Sequence, residues 1–187
     1  MKPKLTSHDF VRAAQMLGCD VPAIRAVAQV EAPRGAFQLD GLPTILFERH
    51  IFSRETKGRF DRIAPDLSNP TPGGYGMYAE QHARLTIASN LDRTAALRSA
   101  SWGMFQIMGF NHTLAGHPTL QGFINAMYAG EPEHLDAFVN IIKSFGLADE
   151  LRERRWADFA RRYNGPGYRA NQYDTKIAAA FRALGGV

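Results

Sequence analysis

Val21-Pro22-Ala23-Ile24-Arg25-Ala26-Val27-Ala28-Gln29-Val30-Glu31 ends in an acid that stands where a hydrophobe belongs. Counting back from Glu31, positions i−3, i−4 and i−7 are Ala28, Val27 and Ile24. At helical spacing these share one face, and that face is apolar. Glu31 therefore falls on the stripe that faces a core, in the last turn, just before Pro33 ends the helix. Desolvation and the negative end of the helix dipole both oppose its ionisation. A carboxyl group so placed is predisposed to keep its proton near neutral pH, as a general acid requires. The competing reading is a Glu that curls out to solvent at a frayed helix end, or one held in a structural ion pair.

Working outward, Thr6 or Ser7 caps a preceding helix with Phe10, Val11, Ala14 and Leu17 as its apolar stripe and Gly18 as its stop. Asp20 caps the helix that carries Glu31. After it, Leu39-Asp40-Gly41-Leu42-Pro43-Thr44-Ile45-Leu46-Phe47-Glu48 reads as a turn at Asp-Gly and a β-prone run over 44–47. Residues 61–78 are irregular and rich in Pro and Gly, a length that usually marks function or disorder. Helices are expected at 80–99, 119–128, 133–145, 148–163 and 168–184. The expected fold class is mostly α (α+β): a helical domain with a small early β element beside a cleft. No repeat or linker divides the chain, so residues 1–187 are read as one domain.

The 187 residues suffice for one domain with a real core, and 45% hydrophobic with 21% charged residues is ordinary for a soluble protein. The N-terminus has charge but no apolar run behind it, so no signal peptide is read, and no run is long enough to span a bilayer. Cys19 is the single cysteine and excludes an intramolecular disulfide; it reads as a small buried hydrophobe. The six His are scattered without metal-ligand spacing, so neither a metal nor another cofactor is expected. A net charge of +4 and a pI near 9.4 suit an anionic partner such as nucleic acid, lipid or an acidic wall polymer, without choosing among them. Arg152-Glu153-Arg154-Arg155 and Arg161-Arg162 are expected to be solvated helix faces.

Two more segments carry polar groups among apolar neighbours. In Ala100-Ser101-Trp102-Gly103-Met104-Phe105-Gln106-Ile107-Met108-Gly109, Gly103 permits close backbone approach and Ser101 and Gln106 offer hydrogen bonds to a polar ligand. A core helix with Trp102, Phe105 and Met108 on one face explains the segment equally well. In Phe159-Ala160-Arg161-Arg162-Tyr163-Asn164-Gly165-Pro166-Gly167-Tyr168, a helix ends and a Gly-Pro-Gly turn follows. Tyr rings there suit stacking on sugars, and a plain αα-turn is the alternative.

Taken in order, the three segments resemble the catalytic layout of the goose-type lysozyme and soluble lytic transglycosylase superfamily. Those enzymes carry an acid at a helix end, a Gly-Leu-Met-Gln-type segment and an Ala-Tyr-Asn-Ala-Gly-Pro-Gly-type segment. The chain is more similar still to the phage-endolysin N-acetylmuramidase family. That likeness rests on Val30-Glu31-Ala32, Leu46-Phe47-Glu48-Arg49-His50-Ile51-Phe52, Ser101-Trp102-Gly103 and Tyr163-Asn164-Gly165, and it runs from about Leu17 to Phe181. The resemblance implies a lysozyme-like fold that cuts the β-1,4 bond between N-acetylmuramic acid and N-acetylglucosamine. It places Glu31 on the general acid, Gln106, Tyr163 and Asn164 on substrate-binding positions, and Ser101 beside the cleft. Two features depart from the pattern: Ala32-Pro33 follows the acid where Ser is common, and the Gly-Leu-Met-Gln segment reads Gly103-Met104-Phe105-Gln106.

The reaction then turns on a second carboxylate. An inverting hydrolase needs a base roughly 6.5–9.5 Å from the acid and a retaining one a nucleophile at about 5–5.5 Å. A lytic transglycosylase needs neither, because the muramic 6-hydroxyl attacks from within the substrate. Strand alternation from Thr44 puts Leu46 and Glu48 on one face, so Glu48 is the candidate, with an ion pair to Arg49, Arg34 or His50 as the alternative. Asp40 is explained by turn chemistry, and Asp61 and Asp66 stay open. The loop with Tyr75 and Tyr78 is read as a wall of the sugar cleft.

The expected activity is thus a peptidoglycan hydrolase, with a lytic transglycosylase as the alternative enzyme and a non-catalytic glycan-binding module as the alternative from another class. Nucleic-acid binding rests on pI alone and lacks a motif. The C-terminal stripe Ile177, Phe181 and Leu184 is expected to pack on the core rather than on a membrane. The expected partner is bacterial peptidoglycan, met by a monomer with no stable membrane insertion. Such an endolysin stays in the host cytoplasm until it is released to the periplasm and cell wall.

Overall fold

The computed structural model describes residues 2–186. Helix α1, Ser7–Leu17, begins at a capping box: the Asp9 backbone N–H donates to Thr6 Oγ1 and the Thr6 N–H to Asp9 Oδ2. It stops at Gly18, whose φ of +66° is left-handed. The buried face is Ala13, Ala14 and Leu17 with Phe10 partly covered, the strict i, i+3, i+4, i+7 set. Val11, expected on that stripe, is exposed instead, because it lies one position off the seam that meets the following helix.

Helix α2, Val21–Glu31, carries Pro22 in its first turn and ends on the acid. Asp20 precedes it without capping through its side chain; its carboxylate pairs with Arg154 at 2.9 Å instead. Ala23, Ile24, Ala26 and Val27 are at most 1% exposed. The C-terminal helix, Tyr173–Ala183 (α9 below), packs along these small residues. Its Ile177 and Phe181 are buried, so this stripe faces the core as expected.

Phe37 bridges Pro43 around the Asp40-Gly41 turn, and three short strands follow in antiparallel order: β1 Ile45–Phe47, β2 Ala100–Trp102 and β3 Ile107–Met108. Leu46 pairs with Ser101, and Ser101 with Met108. The Trp102 segment is therefore a hairpin, not a core helix.

Helix α3, Arg49–Thr56, starts directly after β1 with Glu48 as its N-cap. Ile51 and Phe52 are its only large buried hydrophobes, too short a signal to be read as a helix. Helix α4, Gln81–Arg98, breaks at Asp92, whose Oδ1 accepts from the Ala95 N–H and restarts the helix.

Helices α5 Leu120–Ala129 and α6 Glu131–Ser144 follow, and α6 runs through the core with Leu135, Phe138, Val139 and Ile142 fully buried. The single helix expected over 148–163 is two, α7 Ala148–Arg152 and α8 Trp156–Asn164, split where Arg154 takes φ +57°. Helix α9 starts at Tyr173 rather than Tyr168, since Gln172 is left-handed. The result is the mostly α fold with a small sheet that the sequence predicts.

Candidate active site

The ends of α2 and α8 meet. Asn164, last in α8, donates from Nδ2 to both carboxyl oxygens of Glu31, last in α2, at 3.0 Å each. Burial pushes the Glu31 carboxyl up to about 7, and the Asn164 bond pulls the other way. Burial wins because one neutral amide replaces only part of the lost water. Asn164 Oδ1 is itself buried without a partner among the described residues.

The opposite wall is the β2–β3 turn. Gly103 has φ +69°, and a Cβ there would lie 2.7 Å from the His134 ring. Its N–H donates to the Thr44 carbonyl at 2.7 Å. Gln106 is a non-glycine at φ +50°, strained backbone held by its own side chain. Its Nε2 donates to the Gly103 carbonyl at 2.9 Å and its Oε1 accepts from Ser101 Oγ at 2.9 Å. Ser101 is buried beneath it. Tyr163 donates its hydroxyl to the Phe105 carbonyl at 3.3 Å and stacks on Phe159, so α8 is tied to the same turn. Burial, with the charge of Glu31 second, pushes the Tyr163 phenol well above its ordinary value.

His134 escaped the sequence reading. It is 1% exposed, its Nδ1 accepts from the Met104 N–H at 3.1 Å, and its Nε2 lies 2.9 Å from the Met127 carbonyl. The proton is therefore on Nε2, and the neutral ring pins the turn to α5 and α6. Burial pushes its pKa down. The one available signal was a lone His among the apolar positions of 131–142.

Between these walls lies a cleft of about 460 Å³ lined by Glu31, Gln106, Tyr163, Asn164 and Tyr173, with Thr44 and Arg34 at one side. Among the described residues, Glu31 is the one carboxylate on its wall. Glu48 stands apart from it, with Oε2 3.7 Å from His50 Nε2. The other His50 nitrogen hydrogen-bonds the Tyr75 hydroxyl at 3.3 Å. Burial raises the Glu48 carboxyl, and the Arg54 charge opposes this. From the same loop, the Tyr78 hydroxyl lies 3.2 Å from Oγ1 of Thr44, which lines the cleft. Asp61 accepts from Ser53 and Ser68, and Asp40 closes its turn by accepting the Leu42 N–H.

Residues 20–185 match the N-acetylmuramidase family. The chain belongs to that family. It is a glycoside hydrolase acting on peptidoglycan. The crystal structure of the Burkholderia AP3 phage endolysin superimposes with a TM-score of 0.92 at 41% identity, over 97% of this chain and 71% of that one. No curated protein matches the chain.

In this muramidase the structure gathers Glu31, Gln106, Tyr163 and Asn164 in one cleft, with Ser101 directly behind Gln106. Glu48 and Tyr75 lie outside that lining, gathered around His50. The arginines of 152–155 and 161–162 are exposed, as expected of solvated helix faces, and some also form ion pairs: Arg155 with Asp149, Arg161 with Asp158, and Arg162 with the buried Glu150. Cys19 is partly buried, and burial pushes its thiol up to about 11, which disfavours the nucleophilic thiolate. Among the described residues no cluster fits a metal, and no helix is long and apolar enough to cross a membrane.

Proposed function

We propose that Glu31 is the general acid of an endolysin that cleaves the β-1,4 bond between N-acetylmuramic acid and N-acetylglucosamine. The observation that carries this reading is a cleft carboxyl poised at about 7 and aimed by Asn164. Glu31 gives its proton to the glycosidic oxygen as the C1–O bond breaks. A water then attacks C1, and Glu48 takes its proton or stabilises the cationic sugar. Gln106, Ser101, Tyr163, Asn164 and Tyr75 hold the glycan or the walls that hold it. Support for Glu48 is its half-buried, raised carboxyl directly after β1, while Asp61 and Asp40 are occupied structurally. Residues 1–187 act as one monomeric catalytic domain that waits in the host cytoplasm and meets peptidoglycan on release.

One observation favours a second reading. With Glu31 the one carboxylate on the cleft wall among the described residues, a lytic transglycosylase, which needs a single acid–base group, fits the lining.

The test is mass spectrometry of soluble muropeptides released from purified peptidoglycan, with Glu31→Gln in parallel. Reducing muramic ends, absent with the variant, are expected. Anhydro ends, one water lighter, would establish the transglycosylase. No release, where a control lysozyme works, would point to a binding module.

A further inference from the structure

A second cavity of about 500 Å³ adjoins the cleft, bounded by Arg34, Phe37, Gln38, Leu39, Asp40 and Tyr78. Arg34 lines both spaces, three residues beyond Glu31. The Tyr78 hydroxyl bonds Thr44, which lines the cleft, so the two cavities share a wall as well as a side chain. Three features of the side cavity are unspent by the fold. The Arg34 guanidinium rests 5.5 Å from the Tyr78 ring centre and forms no ion pair among the described residues. Gln38 Nε2 is buried with no hydrogen-bond partner among the described residues. Leu39, at the tip of the turn, is fully exposed, and Tyr78 adds exposed apolar surface on the same wall. Asp40 supplies an opposite charge on the same wall, its second carboxyl oxygen free of the turn bond.

A sugar needs no such charges, but muramic acid carries more than a sugar. Its lactyl ether bears a short peptide with free carboxylates and a free amine, and that peptide has to leave the cleft sideways beside the bond being cut. We infer that the side cavity is a subsite for this peptide arm. Arg34 takes a carboxylate, Asp40 the amine, and Leu39 and Tyr78 cover the methyl groups of its alanines. A cation and an anion on one wall fit a zwitterionic peptide and exclude a neutral glycan from the same place. The inference rests on the muramidase reading above and adds to it a preference for peptide-bearing strands.

The test uses soluble, uncross-linked glycan strands of one preparation, either bearing their peptides or stripped of them by an amidase. Initial rates of reducing-end release are measured for the wild type, Arg34→Gln and Asp40→Asn. The wild type is expected to cut peptide-bearing strands with kcat/KM about tenfold above stripped strands, through KM. Asp40→Asn, which lies outside the cleft lining, is expected to lose most of that preference while its rate on stripped strands holds, and Arg34→Gln, whose side chain also lines the cleft, is expected to lose more on peptide-bearing strands than on stripped ones. Equal wild-type rates on both polymers, or a parallel loss on both by the variants, overturn the subsite and leave the muramidase standing. Absence of reducing muramic ends from either polymer overturns the muramidase reading, and the subsite with it.

Discussion

Asn164 grips both oxygens of Glu31, so the acid and its holder sit at the ends of two helices that end facing each other. The bond favours the ionised form while burial favours the protonated one. Asn164→Leu removes the first influence and keeps the second, so the Glu31 pKa rises further. The alkaline limb of the pH–rate profile is expected to move upward. The optimum rate is expected to fall about tenfold or more, as the carboxyl loses its fixed direction. A limb that moves to lower pH would contradict this account.

The same raised pKa makes a stability prediction with a definite sign. Between 4.5 and about 7 the folded chain holds a proton on Glu31 that the unfolded chain has released. The contribution is therefore complete below 4.5 and is lost as pH rises through about 7. Its full size is on the order of 3 kcal/mol. Urea unfolding of the wild type and Glu31→Gln is expected to show the variant gaining on the wild type by up to that amount between pH 4.5 and pH 8. A constant difference across that range would mean that Glu31 titrates normally.

His134 has the opposite sign. Its folded pKa lies below 6.5 because burial disfavours the cation and Nδ1 is already an acceptor. Neutral His134 thus contributes stability above 6.5 that is lost as pH falls through 6.5 toward the folded value. Glutamine places an acceptor and a donor at similar spacing, so His134→Gln is expected to fold and to lose this acid-side decline. His134→Ala strands the Met104 N–H and the Met127 carbonyl and opens a cavity, at about 2–4 kcal/mol. Chemical unfolding at pH 5 and pH 7.5 separates the three proteins.

Gly103 is tested more simply. Alanine there meets the His134 ring at 2.7 Å and has to adopt φ +69°. Gly103→Ala is expected to destabilise by about 2–3 kcal/mol, read as a lower Tm, and to weaken turnover because the cleft wall moves.

Much of this arrangement was legible in the chain because it follows local rules. The apolar face behind Glu31, the stop at Gly18, the Asp40-Gly41 turn and the end of a helix at Asn164 are each set by residues within one or two turns. What escaped depends on partners far away in sequence. Asp20 looked like a cap until Arg154, 134 positions later, claimed it. Arg154 itself takes a left-handed backbone that no neighbouring residue announces. His134 reads as an ordinary helical residue until the turn at Met104 folds onto it, 30 positions away. Val11 and Ala13 differ by which face a later helix covers, and hydrophobicity alone favours the wrong one.

The proposed hydrolysis turns on Glu48. Its carboxyl is raised by burial and lies 3.7 Å from His50, outside the wall that holds Glu31. As the base of a hydrolase it has to be ionised, so the rate should fall on the acid side as pH drops through its raised pKa, opposite the alkaline fall set by Glu31. Glu48→Gln is expected to reduce release of reducing ends about 100-fold and to erase the acid limb, leaving the alkaline one in place. His50→Gln serves as the control, since it removes the neighbour without touching the carboxylate and is expected to shift the acid limb rather than abolish it. Full activity of Glu48→Gln, with an unchanged profile, would strip Glu48 of its role and leave Glu31 to act alone, as attack by the muramic 6-hydroxyl permits.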